Sequence, residues 1–121
     1  IGYMYGQYKR IRGEYEAGAF SGKGISYGGS LGRTEATGYG AVYFTQEYFQ
    51  SIGEEIKGKT FAISGFGNVA WGVCKKVNEL GGKVVTLSGP DGYIYDKDGV
   101  TGDKVDYLVE MRNSNRDLVK D

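Results

Sequence analysis

The sequence predicts an α/β fold built around one strand–helix–strand unit and preceded by helices. Three observations predict it. An apolar run, Phe61-Ala62-Ile63, is followed by a helical stripe, Val69, Val73, Val77 and Leu80, and then by a second apolar run, Val84-Val85-Thr86-Leu87. The connections are short and glycine-bearing, Gly65-Phe66-Gly67 before the helix and Gly81-Gly82 after it. Upstream lie two longer stretches of helical period. Strand, helix and strand joined this tightly form a parallel, right-handed crossover.

Taken in order, residues Ile1 to Glu16 are expected to be helical, with Met4, Tyr8, Ile11 and Tyr15 on one apolar stripe. Gly2, Gly6 and Gly13 weaken that helix, so packing has to hold it. Ala17 to Gly32 is glycine-dense. A flexible linker does not need the interleaved Phe20, Ile25, Tyr27 and Leu31, so a structured loop is expected that brings backbone close to a partner or ligand. Thr34 to Ile52 is a second helix, with Thr34 as N-cap, Glu35 at the positive dipole end, Ala36, Tyr39 and Tyr43 on one face, and Gly53 as its stop. Thr60–Ser64 and Lys83–Leu87 are the two strands, and Asn68–Leu80 is the helix between them. Ser88 to Gly92 is expected as a loop. Tyr93-Ile94-Tyr95 and Val100 flank Asp96-Lys97-Asp98-Gly99 as a small hairpin. Gly102 to Arg112 closes the chain as a helix with Val105, Leu108 and Val109 inward.

Composition excludes several chemistries. The 121 residues carry 15 basic and 15 acidic side chains, so no general electrostatic pull on nucleic acid or anionic lipid is expected. Thr60 to Cys74, the longest uncharged stretch, is too short and too glycine-rich to span a bilayer. With no histidine there is no imidazole base or ligand, and the single cysteine, Cys74, can form neither an internal disulfide nor a cysteine-based metal site. Its apolar helical context suits a buried, inert thiol rather than a reactive one. No metal site is expected. No basic segment leads into an apolar one as in a signal peptide, and nothing asks for an oxidising compartment, so the expected location is cytoplasmic. The first residues begin without an initiator Met or a helix cap, as if cut from a longer chain.

One motif carries chemistry. Gly65-Phe66-Gly67-Asn68-Val69-Ala70 fits G-x-G-x-x-G/A, a weak pattern alone, but here it follows a strand and opens a helix. Gly65 permits the tight turn, Gly67 lets backbone approach a pyrophosphate, and Ala70 allows close helix–strand packing. The helix N-terminus offers unpaired N–H groups and a positive dipole end to phosphates. The competing possibility is an ordinary tight strand–helix turn. An acidic residue is expected about 20 positions on, at the adenosine ribose. Ser88 ends the strand there, and Asp91 follows in the loop, where it either reaches the ribose or simply makes a turn with Gly92. No Arg or Lys lies between Val84 and Tyr95 to pair with a 2′-phosphate, and Phe66 and Pro90 offer no charge, which tilts the expectation to NAD over NADP.

These residues resemble the hexameric glutamate dehydrogenases, of the wider glutamate, leucine, phenylalanine and valine dehydrogenase group. The likeness covers nearly the whole chain. It rests on Ile1-Gly2-Tyr3-Met4-Tyr5-Gly6-Gln7-Tyr8, on Gly22-Lys23-Gly24, on Gly28-Gly29-Ser30-Leu31-Gly32-Arg33-Thr34-Glu35-Ala36-Thr37-Gly38-Tyr39-Gly40, and on Ser64 to Ala70. The third run is the most specific, because the leucine, valine and phenylalanine enzymes share the fold but not that run.

The resemblance implies a partial Rossmann-like dinucleotide-binding domain preceded by helices from the end of a substrate domain. Residues 1–33 would end the substrate domain, 34–53 would be an interdomain helix, and 54–121 would be the first half of the nucleotide domain. It implies that Thr37 and Asn68 contact the nicotinamide end of the cofactor, where Thr37 could equally cap a helix and Asn68 be an N-cap. Gly65, Phe66, Gly67, Val69 and Asp91 complete the expected cofactor contacts. Arg33 either lines the cleft or pairs with Glu35. The family's catalytic lysines and aspartate match nothing here, Lys23 does not stand in their context, and no catalytic residue is assigned. The implied activity is oxidative deamination of L-glutamate to 2-oxoglutarate and ammonium with NAD, in a homohexamer. A non-catalytic nucleotide-binding or structural fragment is the competing function.

Overall fold

A computed structural model of the protein describes residues 1–114. The chain divides into two compact units, residues 1–33 and the part from Thr34 onward.

In the first unit, α1 spans Gly2–Arg12. It stops short of the expected Glu16 because Gly13 turns left-handed and donates its N–H to the Lys9 carbonyl at 2.9 Å. The expected apolar stripe is not the buried one. Met4, Ile11 and Tyr15 are exposed, whereas Tyr5 is buried. The physical reason is Lys23. Its ammonium donates to the carbonyls of Ala17 at 2.6 Å and Phe20 at 3.1 Å and lies 5.5 Å from the centre of the Tyr5 ring. The glycine-dense segment folds around this buried cation, and Ile25–Tyr27 forms a short 3-10 turn within it. It is a structured loop, not a linker.

In the second unit, α2 (Ala36–Ser51) is followed by β1 (Thr60–Ala62), α3 (Asn68–Glu79), β2 (Lys83–Gly89), β3 (Gly92–Tyr95) and α4 (Asp103–Asn113). β1 and β2 are parallel neighbours, with Thr60 opposite Lys83 and Phe61 opposite Val84. The register then slips, so that Ala62 faces Thr86. β3 pairs antiparallel with β2 on its other side, giving the order β1-β2-β3. The expected hairpin is therefore displaced. Tyr93-Ile94-Tyr95 pairs back onto β2, extending β2 to Gly89, and not forward onto Val100. Pro90 and Asp91 make the two-residue turn, and Asp96 to Gly99 leads into α4 instead.

The core gathers Phe66 and Val42, Cys74 and Val77 from α3, Val84 and Leu87 from β2, Val100, and Val105, Leu108 and Met111 from α4. Two expected core residues lie outside it. Val69 is 49% exposed, and Ala70 beside it is buried instead. Val109 is 37% exposed, and Met111 takes the inward position.

The helix pair α2–α3 meets at glycines. A Cβ on Gly38 would sit 2.6 Å from the Val73 nitrogen and 2.7 Å from the Gly72 Cα, and one on Gly72 would sit 2.7 Å from the Glu35 carbonyl oxygen. Only hydrogen side chains allow two backbones this close. This contact corrects the expected face of α2. Gly38 and Val42 are buried, while Tyr43 stays half exposed and Ala36 exposed. Tyr39 and Tyr43 instead lay their rings against the Lys76 ammonium of α3, at 4.4 and 5.4 Å from the ring centres. Thr34 is not the N-cap of α2. Its hydroxyl donates to the Glu35 carboxylate at 3.0 Å, and Glu35 occupies the cap position without a side-chain cap bond.

Candidate functional site

The site begins where β1 ends. After Ala62 the regular pairing of β1 with β2 ends, and side chains of β2 join the backbone in carrying the ladder on. The Thr86 hydroxyl accepts the Ile63 N–H at 3.0 Å, and the Ser88 hydroxyl accepts the Gly65 N–H at 3.1 Å. Ser88 returns its own N–H to the Gly65 carbonyl at 3.3 Å. These bonds deliver Gly65 to the turn with φ 119°, a conformation side-chain-bearing residues rarely adopt.

From there the chain enters α3 directly. Gly67 is the N-cap in extended conformation, and Asn68 is the first helical residue, so the expected N-cap role of Asn68 passes to Gly67. Among the described residues, no side chain caps the helix. Its first N–H groups are thus left for a partner from outside the helix. Among the described residues, a Cβ on Gly67 would meet nothing within 4 Å, so the space over it is open to them. Ala70 is buried, and a Cβ on Gly65 would touch its methyl at 3.8 Å, the close helix–strand fit the motif calls for.

Two clefts meet at this turn. The first, about 420 Å³, lies between Ser64–Gly67 and Ser88–Pro90, with Arg112 of α4 also in its lining. Among the described residues, Arg112 is its one charged lining residue. The second, about 440 Å³, is lined by Thr34, Glu35, Asn68, Trp71, Lys75 and Arg112 among others, and is electrostatically mixed. The Gly38–Gly72 contact holds the start of α2 beside the start of α3 and so forms the wall of this cleft.

The structure places the candidate residues as follows. The backbones of Gly65, Phe66 and Gly67 line the first cleft, but the Phe66 ring turns inward, 6% exposed and 5.9 Å from the Trp71 ring centre. Asn68 is exposed and lines the second cleft. Val69 is exposed behind it. Thr37 is exposed in the first turn of α2, two residues from the lining residue Glu35. Asp91 sits in the β2–β3 turn, one residue past the lining residue Pro90. Arg33 is exposed at the end of the first unit. Arg112 went unassigned in the sequence because 46 residues separate it from Phe66, and no spacing rule spans that distance. Its guanidinium donates to the Phe66 carbonyl at 2.8 Å.

Nearby titratable groups act on packing. Hydrogen bonding to Glu79 at 2.7 Å raises the pKa of Lys76, against the opposing effect of burial. Burial pushes the Cys74 thiol from 9.0 up to about 11, and the Asn78 amide at 3.8 Å offsets little of it. Cys74 is fully buried, which excludes the reactive alternative.

Residues 28–121 match the family model described as glutamate/leucine/phenylalanine/valine dehydrogenase. The chain is 58% identical over 119 residues to an NAD-specific glutamate dehydrogenase of Bacteroides fragilis (strain YCH46), covering 98% of this chain and 26% of the relative. It is 47% identical over 121 residues to an NADP-specific glutamate dehydrogenase of Giardia intestinalis, covering 100% of this chain and 27% of that one. A solved glutamate dehydrogenase structure superposes with a TM-score of 0.80 at 55% identity, over 99% of this chain and 27% of its own. The chain thus spans about a quarter of the length of the relatives it matches.

Proposed function

The chain belongs to the glutamate/leucine/phenylalanine/valine dehydrogenase family, and from that premise we propose that it is a segment of a glutamate dehydrogenase, interconverting L-glutamate with 2-oxoglutarate and ammonium through a nicotinamide dinucleotide. The observation that carries the proposal is the Gly65–Ala70 turn, opening an uncapped helix inside a parallel strand–helix–strand unit.

A dinucleotide fits the residues present. Its pyrophosphate would lie over Gly67, where a Cβ would meet open space, against the first N–H groups of α3. Its adenosine end would follow the first cleft toward Ser88–Pro90, with Asp91 at the ribose hydroxyls. Its nicotinamide end would reach the second cleft, where Asn68, with Thr37 near by, holds the ring in orientation. Val69 and Phe66 contribute backbone. When bound, the nicotinamide supplies the hydride acceptor for the substrate Cα. The chain's own part is to bind and orient it, so no catalytic side chain is assigned.

NAD is the proposed cofactor. Asp91, one residue past the lining of the first cleft, would disfavour a 2′-phosphate if it reaches the ribose, and no basic residue lies between Val84 and Tyr95. The NAD-specific relative is also more alike than the NADP-specific one, 58% against 47%. In the intact subunit, residues 1–33 would end the substrate domain, 34–53 would link the domains, and the remainder would begin the nucleotide domain. A cytoplasmic homohexamer completes the proposal.

The test is steady-state kinetics of the full-length protein with glutamate and either cofactor, followed by absorbance of the reduced nicotinamide. Turnover with a higher kcat/KM for NAD is expected. Absence of turnover with both cofactors overturns the activity, and a higher kcat/KM for NADP overturns the preference alone.

A further inference from the structure

The geometry points to Arg112 as a positioning residue that sets the direction of the Gly67 N–H through the Phe66 carbonyl. This deepens the dinucleotide proposal and names a residue that the motif does not contain.

The turn is held from two sides. On one side Ser88 of β2 fixes Gly65 through its hydroxyl and its N–H, at 3.1 and 3.3 Å. On the other side Arg112 of α4 donates to the Phe66 carbonyl at 2.8 Å. The peptide joining Phe66 to Gly67 is planar and trans, so its C=O and N–H point in opposite directions. Anchoring the carbonyl therefore fixes the direction of the Gly67 N–H. The Phe66 ring is itself buried, so the plane is held by its side chain and its carbonyl together.

Arg112 can act as a strut because its own base is rigid. Met111, beside it, is 6% exposed in the core, and Leu108 and Val105 of the same helix are buried too. A charged donor to a carbonyl is among the stronger hydrogen bonds. Glycine at positions 65 and 67 gives the turn the freedom it needs to form and removes the side-chain contacts that would otherwise hold it. An external strut replaces them.

The experiment uses the full-length protein and its Arg112→Met and Arg112→Lys variants. Without cofactor, amide hydrogen exchange should speed up in Arg112→Met at Gly65, whose N–H the Ser88 hydroxyl accepts at 3.1 Å, with β2 unchanged. Lysine, which still donates, should restore most of the protection. The Kd for NAD and for NADP should each rise by about tenfold in Arg112→Met, the loss of one charge-assisted hydrogen bond, with kcat little changed. Unchanged exchange at Gly65 overturns the inference, as does faster exchange across the whole subunit, which would mean general destabilisation. An affinity loss confined to NADP also overturns it, because it would mean direct contact with a 2′-phosphate. The exchange measurement needs no ligand, so it stands or falls separately from the cofactor proposal.

Discussion

Gly38 and Gly40 lie two residues apart in α2 and meet opposite surroundings. A Cβ at Gly38 would run into the backbone of α3, with the Val73 nitrogen at 2.6 Å, whereas one at Gly40 meets nothing within 4 Å. Gly38→Ala should therefore cost about 2 kcal/mol or more, as overpacking against backbone does. Gly40→Ala should stabilise by about 0.5–1 kcal/mol, because alanine loses less entropy in a helix. Urea unfolding of both variants checks the pair, and equal effects would refute the close helix contact. Cys74 gives a second test. Its pKa is raised from 9.0 to about 11 by burial, so the folded state holds the proton more tightly than the unfolded chain. The stability this contributes is complete below about pH 9 and is lost as pH rises through about 11. Across that interval Cys74→Ala should show a shallower fall in stability than the parent. Parallel curves would mean the thiol does not titrate with folding.

At the scale of elements, β1 is three residues long and could not by itself aim a binding turn. The hydroxyls of Thr86 and Ser88 do so by reinforcing, beyond Ala62, the backbone bonds that Ile63 and Gly65 still make with β2. Ser88→Ala should cost about 1 kcal/mol of stability, the usual net value of one hydrogen bond. It should also weaken nucleotide binding while leaving the β2–β3 pairing intact. Isothermal titration with NAD, alongside denaturant unfolding, separates the two effects, and unaltered affinity would count against the ladder's role in aiming Gly65. A different tie holds the approach to α4. Asp96 bonds the Lys104 ammonium and accepts the Asp98 N–H at 2.9 Å, and these hold its carboxyl below its ordinary 3.8. The sign is opposite to that of Cys74. This contribution is present above the ordinary carboxylate value and is lost as pH falls through the lower folded one.

For the molecule as a whole, one crossover supplies at most half of the crevice proposed for a dinucleotide. The described sheet runs β1-β2-β3, with β2 as the only neighbour of β1 among the described residues. A dinucleotide lies across the point where strand order reverses and needs strands on both sides of it. The chain also lacks histidine, so no imidazole can serve as acid or base. The 121-residue chain alone is therefore expected to be inactive with glutamate and NAD. Turnover by the purified chain, surviving controls for contaminating enzyme, would force a search among Lys23, Arg33 and Glu35. Lys23 is the weakest of these, since two carbonyls already hold its ammonium.

The alternation of apolar runs and glycine turns determined the strand–helix–strand unit, its parallel pairing and the Gly65–Ala70 motif, because those features depend on neighbours in the chain. Local sequence also placed Cys74 in the core. Tertiary structure decided the rest. It turned Tyr5 inward in place of Met4 and Ile11, because the buried Lys23 sits on that side of α1. It set the face of α2 by a glycine contact with α3, a preference no helical period records. It folded Tyr93–Tyr95 back onto β2, because that strand still had an open edge to pair. It also brought Arg112 across 46 residues to the Phe66 carbonyl. A local pattern can specify which element forms, but which faces meet depends on surfaces that exist only once the chain has packed.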